Sequence, residues 1–262
     1  MSIIYLESKD NSKIKHLRSL IEHQHYRKKH QQSVIEGTHL ALAYLEQSPL
    51  LSIFTTENAL EHDDFQRIQQ QYRGQIFIIS QQLYKEFSNL GTSLACLAII
   101  DTTHHQKNLN EIQYDKDTLI LENVQDPGNV GTLLRSAAAA GIKQIICSQG
   151  TASLWSPRVV RAGMGAHFAL QCFENVDLTC ILSHFSIPVL ATSLQNSNSI
   201  YQQDLRSPIV WILGNEGQGV TDDVLCHAQA VNIPQPGGQE SLNVAVAGSI
   251  CLFEMVRQRL TS

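Results

Sequence analysis

The stretch IVWILGNEGQGV, residues 209–220, decides the fold. Ile209 to Leu213 is a short, continuous apolar run, the pattern of a strand buried on both faces, and GNEGQG at its carboxyl end brings three glycines. Glycines there let the backbone come close to a ligand. A second apolar strand, Ala230 to Ile233, ends in Pro234, Pro236, Gly237 and Gly238, and a helix is expected from near Glu240. Two strand ends therefore present loops on one edge, the edge where open α/β sheets take ligands. From Leu242 to Met255 only Asn243, Ser249 and Glu254 are strongly polar, so the last helix is expected to be buried, in the core or against another subunit. It is too short and too interrupted to span a bilayer. Ser241 and Asn243 lie in its first turn beside backbone N–H groups that lack intrahelical partners, a setting for a ligand with partial negative charge.

Upstream of this stretch the pattern alternates strand and helix from Thr118 onward. Leu119–Leu121, Ile145–Cys147, Phe168–Cys172 and Ile187–Thr192 read as strands, and Asn129–Ala140 reads as a helix that Gly141 ends. That alternation predicts a largely parallel sheet with helices on both faces. The first 101 residues read as a separate small α/β domain: a helix from Asn11 to Leu20, strands at Ser33–Glu36, Leu50–Thr55, Gln75–Ser80 and Leu94–Asp101, and helices at Gly37–Leu45, Ala59–Tyr72 and Gln81–Phe87. Between the two, residues 102–117 are polar and aperiodic and read as a linker, with His104 and His105 solvated rather than metal-binding. The expected domains are 1–101 and 118–262.

A hydrophobic content of 43% marks a globular chain with neither membrane nor disordered composition, and residues 1–10 show no extended apolar h-region with a cleavage site, so no secretory signal is expected. Six scattered cysteines, without a Cys-x-x-Cys pair, imply a reducing, cytoplasmic setting and no structural zinc or other metal. The net charge of −5 hides an uneven distribution: Lys13, Lys15, Arg18, Arg27, Lys28 and Lys29 stand against Glu22 alone, so this segment carries +5 and the remainder −10. Such a cluster is either a solvated helix face or the footprint of a phosphate backbone.

LGNEGQGV and IPQPGGQESLNVAVAGSICLFE, preceded by LILENVQDPGNVGTLLRSAAAAG at residues 119–141, together resemble the three ordered motifs of the SPOUT class of RNA methyltransferases, SpoU branch. SVIEGTHLALAYL and SLACLAII are similar to the ribosomal-protein-like RNA-binding domain that precedes the catalytic domain in many such enzymes. The resemblance implies a C-terminal α/β domain whose last helix threads a trefoil knot, a homodimer, and transfer of a methyl group from S-adenosylmethionine to a ribose 2′-hydroxyl of RNA, ribosomal RNA ahead of transfer RNA. It implies cofactor contacts from Thr192, Ser193, Leu213, Gly214, Gly219, Ile233, Pro234 and Leu242. It also implies a reacting centre of Arg135, Asn129, Glu216, Ser241 and Asn243, with Arg135 stabilising the oxyanion, since a guanidinium is too basic to abstract the proton outright. Asn129 and Asn243 are expected to hold loops, and Glu216 either to order its loop or to touch substrate. Arg158 and Arg161 match a basic stretch of the family and join the N-terminal cluster as phosphate contacts, while Gly163 stands where a serine is expected. Two other readings stay open. One is a nucleotide-binding oxidoreductase, against which no G-x-G-x-x-G opens a helix after the first strand; the other is a non-catalytic RNA-binding protein of the same fold.

Overall fold

The computed structural model describes residues 2–88, 95–105, 107–194, 198–238 and 241–261; Leu94 and Glu240, expected to open a strand and the last helix, lie outside them. The chain forms two compact units, Met1–His105 with Trp155–Phe168, and Gln106–Leu154 with Ala169–Ser262. The segment 155–168, expected within the C-terminal domain, is thus part of the N-terminal unit.

In that unit the elements run β1 (Ser2–Leu6), α1 (Ser12–Glu22), α2 (Gln24–His30), β2 (Gln32–Glu36), α3 (Thr38–Leu45), β3 (Ser52–Thr55), α4 (Asp63–Gln71), β4 (Gln75–Ile79), α5 (Gln81–Phe87) and β5 (Leu97–Asp101). The sheet order is β1-β4-β3-β5-β2, with β1, β4 and β3 parallel and β5 antiparallel to both neighbours. Asn11 caps α1 by accepting from Lys13 N, and Ile14, Leu17 and Leu20 at helical spacing reach a core shared with Val34, Phe54, Phe77 and Leu97. The expected helix from Ala59 to Tyr72 is shorter, because His62 caps a fresh start at Asp63. β1 had no expectation. As an edge strand exposed over four of its five residues, it carries no alternation to read.

The segment 155–168 joins this unit through polar and ring contacts. The Ser33 hydroxyl donates to the Trp155 carbonyl at 2.5 Å, and Arg161 pairs with Glu36 at 3.6 Å. The His105 ring lies 4.8 Å from Trp155, and Tyr44 meets Phe168 edge-on at 5.4 Å. His105 therefore packs in an aromatic cluster rather than in a solvated linker. The linker also contains a capping box in which Asn108 and Glu111 bond each other's backbone N–H.

The second unit continues with β6 (Thr118–Leu121), α6 (Pro127–Ala139), β7 (Gln144–Ser148), β8 (Gln171–Val176), α8 (Leu178–Ile181), β9 (Val189–Thr192), β10 (Asn198–Ser199), β11 (Val210–Leu213), α9 (Asp222–Leu225), β12 (Gln229–Asn232) and α10 (Val244–Leu260), while α7 (Pro157–Gly163) belongs to the first. All seven strands are parallel in the order β10-β12-β9-β11-β6-β7-β8. The expected strand at Phe168–Cys172 starts at Gln171 instead, after a helical turn at Ala166–Ala169. β6 and β11 lie side by side in the middle and are buried along their whole length, which is why both read as unbroken apolar runs.

α10 runs from the carboxyl side of the central strands back to the amino ends of β6 and β11. At one end Asn243 caps it; at the other Arg259 grips Asp117 through two bonds of 2.7 and 2.9 Å, and Asp117 also accepts from Ile209 N. Its inner face packs on α6, where Ser136 and Ser249 hydroxyls meet at 2.8 Å. The outer face leaves Val246, Phe253 and Leu260 exposed, so within one chain the helix is buried on one side only, not all round. A Cβ on Gly248 would stand 2.4 Å from both Leu133 Cδ2 and Leu213 Cδ1, two fully buried side chains. Gly248→Val should therefore destabilise the chain by ~1–3 kcal/mol, as overpacking does, despite removing a helix glycine. Urea unfolding at constant m-value measures it, and an unchanged midpoint would contradict this packing.

Candidate functional site

At the carboxyl ends of β9, β11 and β12, with the start of α10 as one wall, lies a cavity of about 480 Å³. That volume falls within the usual range of small-molecule pockets. Of the eight residues expected around a cofactor, Thr192, Ser193, Gly214, Gly219, Ile233 and Leu242 line it. Leu213 and Pro234 do not: Leu213 is fully buried in β11. Leu225, Val231, Val244 and Ala247 add apolar wall that the sequence reading missed. Val244 and Ala247 were legible as one face of α10, being three residues apart just past the expected loop contacts.

The glycine loop from Gly214 to Gly219 shapes the cavity. Asn215 and Gly219 exchange backbone hydrogen bonds of 3.0 and 2.8 Å, closing a tight loop in which Gly219 takes a φ of +73°. A Cβ on Gly214 would fall 2.2 Å from the Gly219 carbonyl carbon, so the close approach excludes any side chain there. Asn215 fastens the turn, accepting from Gly217 N and Gln218 N and donating to the Asn123 carbonyl at 2.9 Å.

Two carboxylates tie this loop to the segment after β6. Glu216 accepts from Gln125 N and Asp126 N, each at 3.2 Å, and from Asn129 Nδ2 at 3.1 Å. Burial alone would raise its pKa, but the bond from Asn129 and those from backbone N–H groups outweigh it and hold the carboxyl below its ordinary value. At the far end of the loop Glu122, 7% exposed, accepts from Thr221 N at 3.0 Å and from the Thr221 hydroxyl at 2.6 Å. Thr221 precedes α9 in the N-cap position yet makes no side-chain cap bond, because its hydroxyl is turned to Glu122. Glu122 was not singled out from sequence. Its partner lies 99 residues away, and no local pattern marks the pair.

Among the expected reacting residues, Asn129, Glu216 and Asn243 converge. Asn243 Nδ2 donates to Asn129 Oδ1 at 3.0 Å, while Asn243 Oδ1 accepts from Ala245 N and Val246 N and so caps α10. Ser241 is exposed and lines the cavity. Arg135 does not join them: it is exposed on α6, away from the cavity lining, and makes no hydrogen bond or ion pair among the described residues. Six residues past Asn129 on a helix, it points about 120° away around the axis.

The expected phosphate contacts also divide. Lys13, Lys28, Lys29 and Arg158 are exposed and unpaired among the described residues. Lys15 pairs with Asp10 at 2.9 Å, and Arg18 pairs with Glu86 at 2.9 Å while lying over the Phe87 ring. Arg27 is a correction: it is 7% exposed and donates to the Leu20 and Ile21 carbonyls, satisfying the end of α1 rather than facing solvent. Burial pushes the Cys96 and Cys251 thiols up to about 12, which makes them packing groups rather than nucleophiles. No group of three metal-binding side chains converges among the described residues, and no described helix is long and apolar enough to cross a membrane.

Residues 116–253 match the SpoU rRNA Methylase family, and residues 11–98 match the MRM3-like substrate binding domain. The chain is 37% identical over 145 residues to the 23S rRNA (guanosine-2'-O-)-methyltransferase RlmB of Pseudomonas putida, covering 54% of this chain and 58% of that one. It spans little more than half the length of the first curated relatives it matches, at 53% and 58%. Among solved structures, an RNA 2'-O ribose methyltransferase superposes with a TM-score of 0.84 at 27% identity, covering 98% of this chain and 100% of that one. An AdoMet-bound rRNA methyltransferase from Sinorhizobium meliloti superposes with a TM-score of 0.83 at 25% identity, covering 97% and 98%. With the glycine loop, the paired asparagines and Glu216 in the places just described, the chain belongs to the SpoU rRNA Methylase family.

Proposed function

We propose that this chain is a methyltransferase that moves a methyl group from S-adenosylmethionine to a ribose 2′-hydroxyl of ribosomal RNA. The observation that carries this reading is the cavity at the ends of β9, β11 and β12, with the Asn129–Glu216–Asn243 network bracing its rim. The residues fit the cofactor. Backbone of the Thr192–Ser193, Gly214–Gly219 and Ile233 segments offers donors and acceptors, and Leu225, Val231, Val244 and Ala247 offer apolar wall for a nucleoside. When bound, S-adenosylmethionine supplies an electrophilic methyl group. The names of the RlmB relative and of one superposed structure support 2′-O methylation, and those of the RlmB relative and the AdoMet-bound structure favour ribosomal RNA.

The protein's part is positioning and charge. With the cofactor bound, the ribose oxygen would take the methyl carbon as the sulfur–methyl bond breaks, leaving S-adenosylhomocysteine and passing the hydroxyl proton to solvent water, and the Arg135 guanidinium would stabilise the charge developing on that oxygen. Ser241, exposed at the cavity, orients the ribose, while Asn129, Asn243 and Glu216 fix the loops around it. Because Arg135 stands off the cavity of its own chain, the site is completed in a homodimer. The exposed Val246, Phe253 and Leu260 on α10 are the surface that a second copy covers. The chain would thread α10 through the preceding loops as a trefoil knot and work in the cytoplasm with its cysteines reduced. The N-terminal unit holds the RNA through Lys13, Lys28, Lys29 and Arg158.

Arg135→Ala should abolish methyl transfer while calorimetry finds S-adenosylmethionine bound as tightly as before; lost cofactor binding would remove Arg135 from the reacting centre. Gly214→Ala should do the reverse, losing cofactor binding. Mixing the two variants should restore part of the activity if Arg135 acts across the dimer. Glu122→Ala should weaken cofactor binding and speed amide exchange across residues 214–221, whereas Thr221→Ser should leave both unchanged. Because Glu216 has a lowered pKa, its contribution to loop order is complete above the ordinary glutamate value and fades as pH falls through its own. Cofactor affinity in Glu216→Gln should accordingly lose part of its acid dependence. Incubation with radiolabelled cofactor and unmodified ribosomal or transfer RNA tests the reaction itself: label on a ribose of ribosomal RNA is the expected result, label on transfer RNA would change the substrate, and none on either would overturn the reading.

A further inference from the structure

The corner between α1 and α2 holds a cluster of rings that the proposed chemistry leaves unused. His23 ends α1 and begins α2, and its ring lies 5.5 Å from that of His25 with 26° between the planes, both residues exposed. One turn on, the Tyr26 and exposed His30 rings stand 4.2 Å apart. The second pair is backed by His16. His16 Nε2 donates to Gln32 Oε1 at 2.8 Å, which leaves Nδ1 to accept from the Tyr26 hydroxyl at 3.0 Å. Burial, with His30 and Lys13 nearby, lowers the His16 pKa and keeps the imidazole in the neutral form that this bonding needs. The buried Arg27 fixes the corner through its bonds to the Leu20 and Ile21 carbonyls. Around the rings, Lys13, Lys28 and Lys29 project without ion pairs among the described residues, whereas Lys15 and Arg18 are already matched by Asp10 and Glu86.

Exposed ring faces beside unmatched ammonium groups are the two components of a single-strand binding surface: bases stack on rings, and phosphates take the cations. A duplex offers the phosphates but keeps its base faces inside the stack. We propose that the α1–α2 corner binds unpaired nucleotides of the RNA, with bases stacking on the exposed His23, His25 and His30 rings, the last backed by the half-buried Tyr26, and phosphates meeting Lys13, Lys28 and Lys29. This rests on the reading that the chain acts on RNA, and it adds that the substrate is engaged at a loop or single-stranded segment.

The test uses the full chain and two labelled probes, an unstructured RNA of twelve nucleotides and a twelve-base-pair RNA duplex, titrated at pH 8, where histidine carries little charge. His23→Ala with His25→Ala should weaken single-strand binding about tenfold or more, leave duplex binding unchanged and leave the salt dependence unchanged. His23→Tyr with His25→Tyr, which keeps ring faces, should restore the affinity. Lys28→Ala with Lys29→Ala should weaken both probes and lower the single-strand salt slope by about 1.4. Unchanged single-strand affinity in the double alanine variant, or an equal loss on both probes, would overturn the proposal. So would failure of the tyrosine pair to restore binding. Calorimetry with S-adenosylmethionine on the same samples separates the two readings, since loss of the methyltransferase reading appears there and not in the oligonucleotide titrations.

Discussion

The C-terminal unit depends on holding two loops together at the carboxyl edge of a parallel sheet. β6 and β11 are neighbours buried on both faces, so their exits lie side by side and the backbone leaving them has no strand partner. Glu216 and Glu122 answer this from opposite ends of the glycine loop, each by accepting N–H groups or a hydroxyl. A carboxylate accepts several such bonds at once, which a neutral amide cannot match. The loop is thereby fixed by charge-assisted bonds rather than by bulk, and the space beside it remains open as a cavity.

α10 closes the same arrangement. Its N-terminal cap, Asn243, is bonded to Asn129 beside the cavity, and its C-terminal Arg259 is clamped to Asp117 at the amino end of β6. Between these ends Gly248 lets the helix settle against Leu133 and Leu213. The helix therefore cannot shift along its axis without breaking a polar anchor. The cavity wall formed by Val244 and Ala247 inherits that rigidity.

In the N-terminal unit, charge is used differently on two sides of one basic segment. Arg27 turns inward to satisfy carbonyls, Lys15 and Arg18 find carboxylates, and Lys13, Lys28 and Lys29 remain unmatched. A net segment charge of +5 counted from residue types therefore overstates the positive surface. The part left free lies beside rings, which is a chemical distinction that charge counting does not contain.

The amino-acid sequence by itself determined the parallel α/β architecture of the second unit, the place of the glycine loop and the set Asn129, Glu216 and Asn243. The first two follow from local requirements, apolar runs for strands buried on both faces and glycine where a Cβ would strike backbone, whereas the set Asn129, Glu216 and Asn243 was legible only through the resemblance of three ordered motifs to a known family. Tertiary structure alone decided the rest. It drew residues 155–168 into the N-terminal unit, buried Arg27, placed Arg135 off the cavity, left one face of α10 exposed and paired Glu122 with Thr221. Each of those depends on groups far apart in the chain meeting in space, and a side chain's exposure is set by what covers it rather than by its own chemistry.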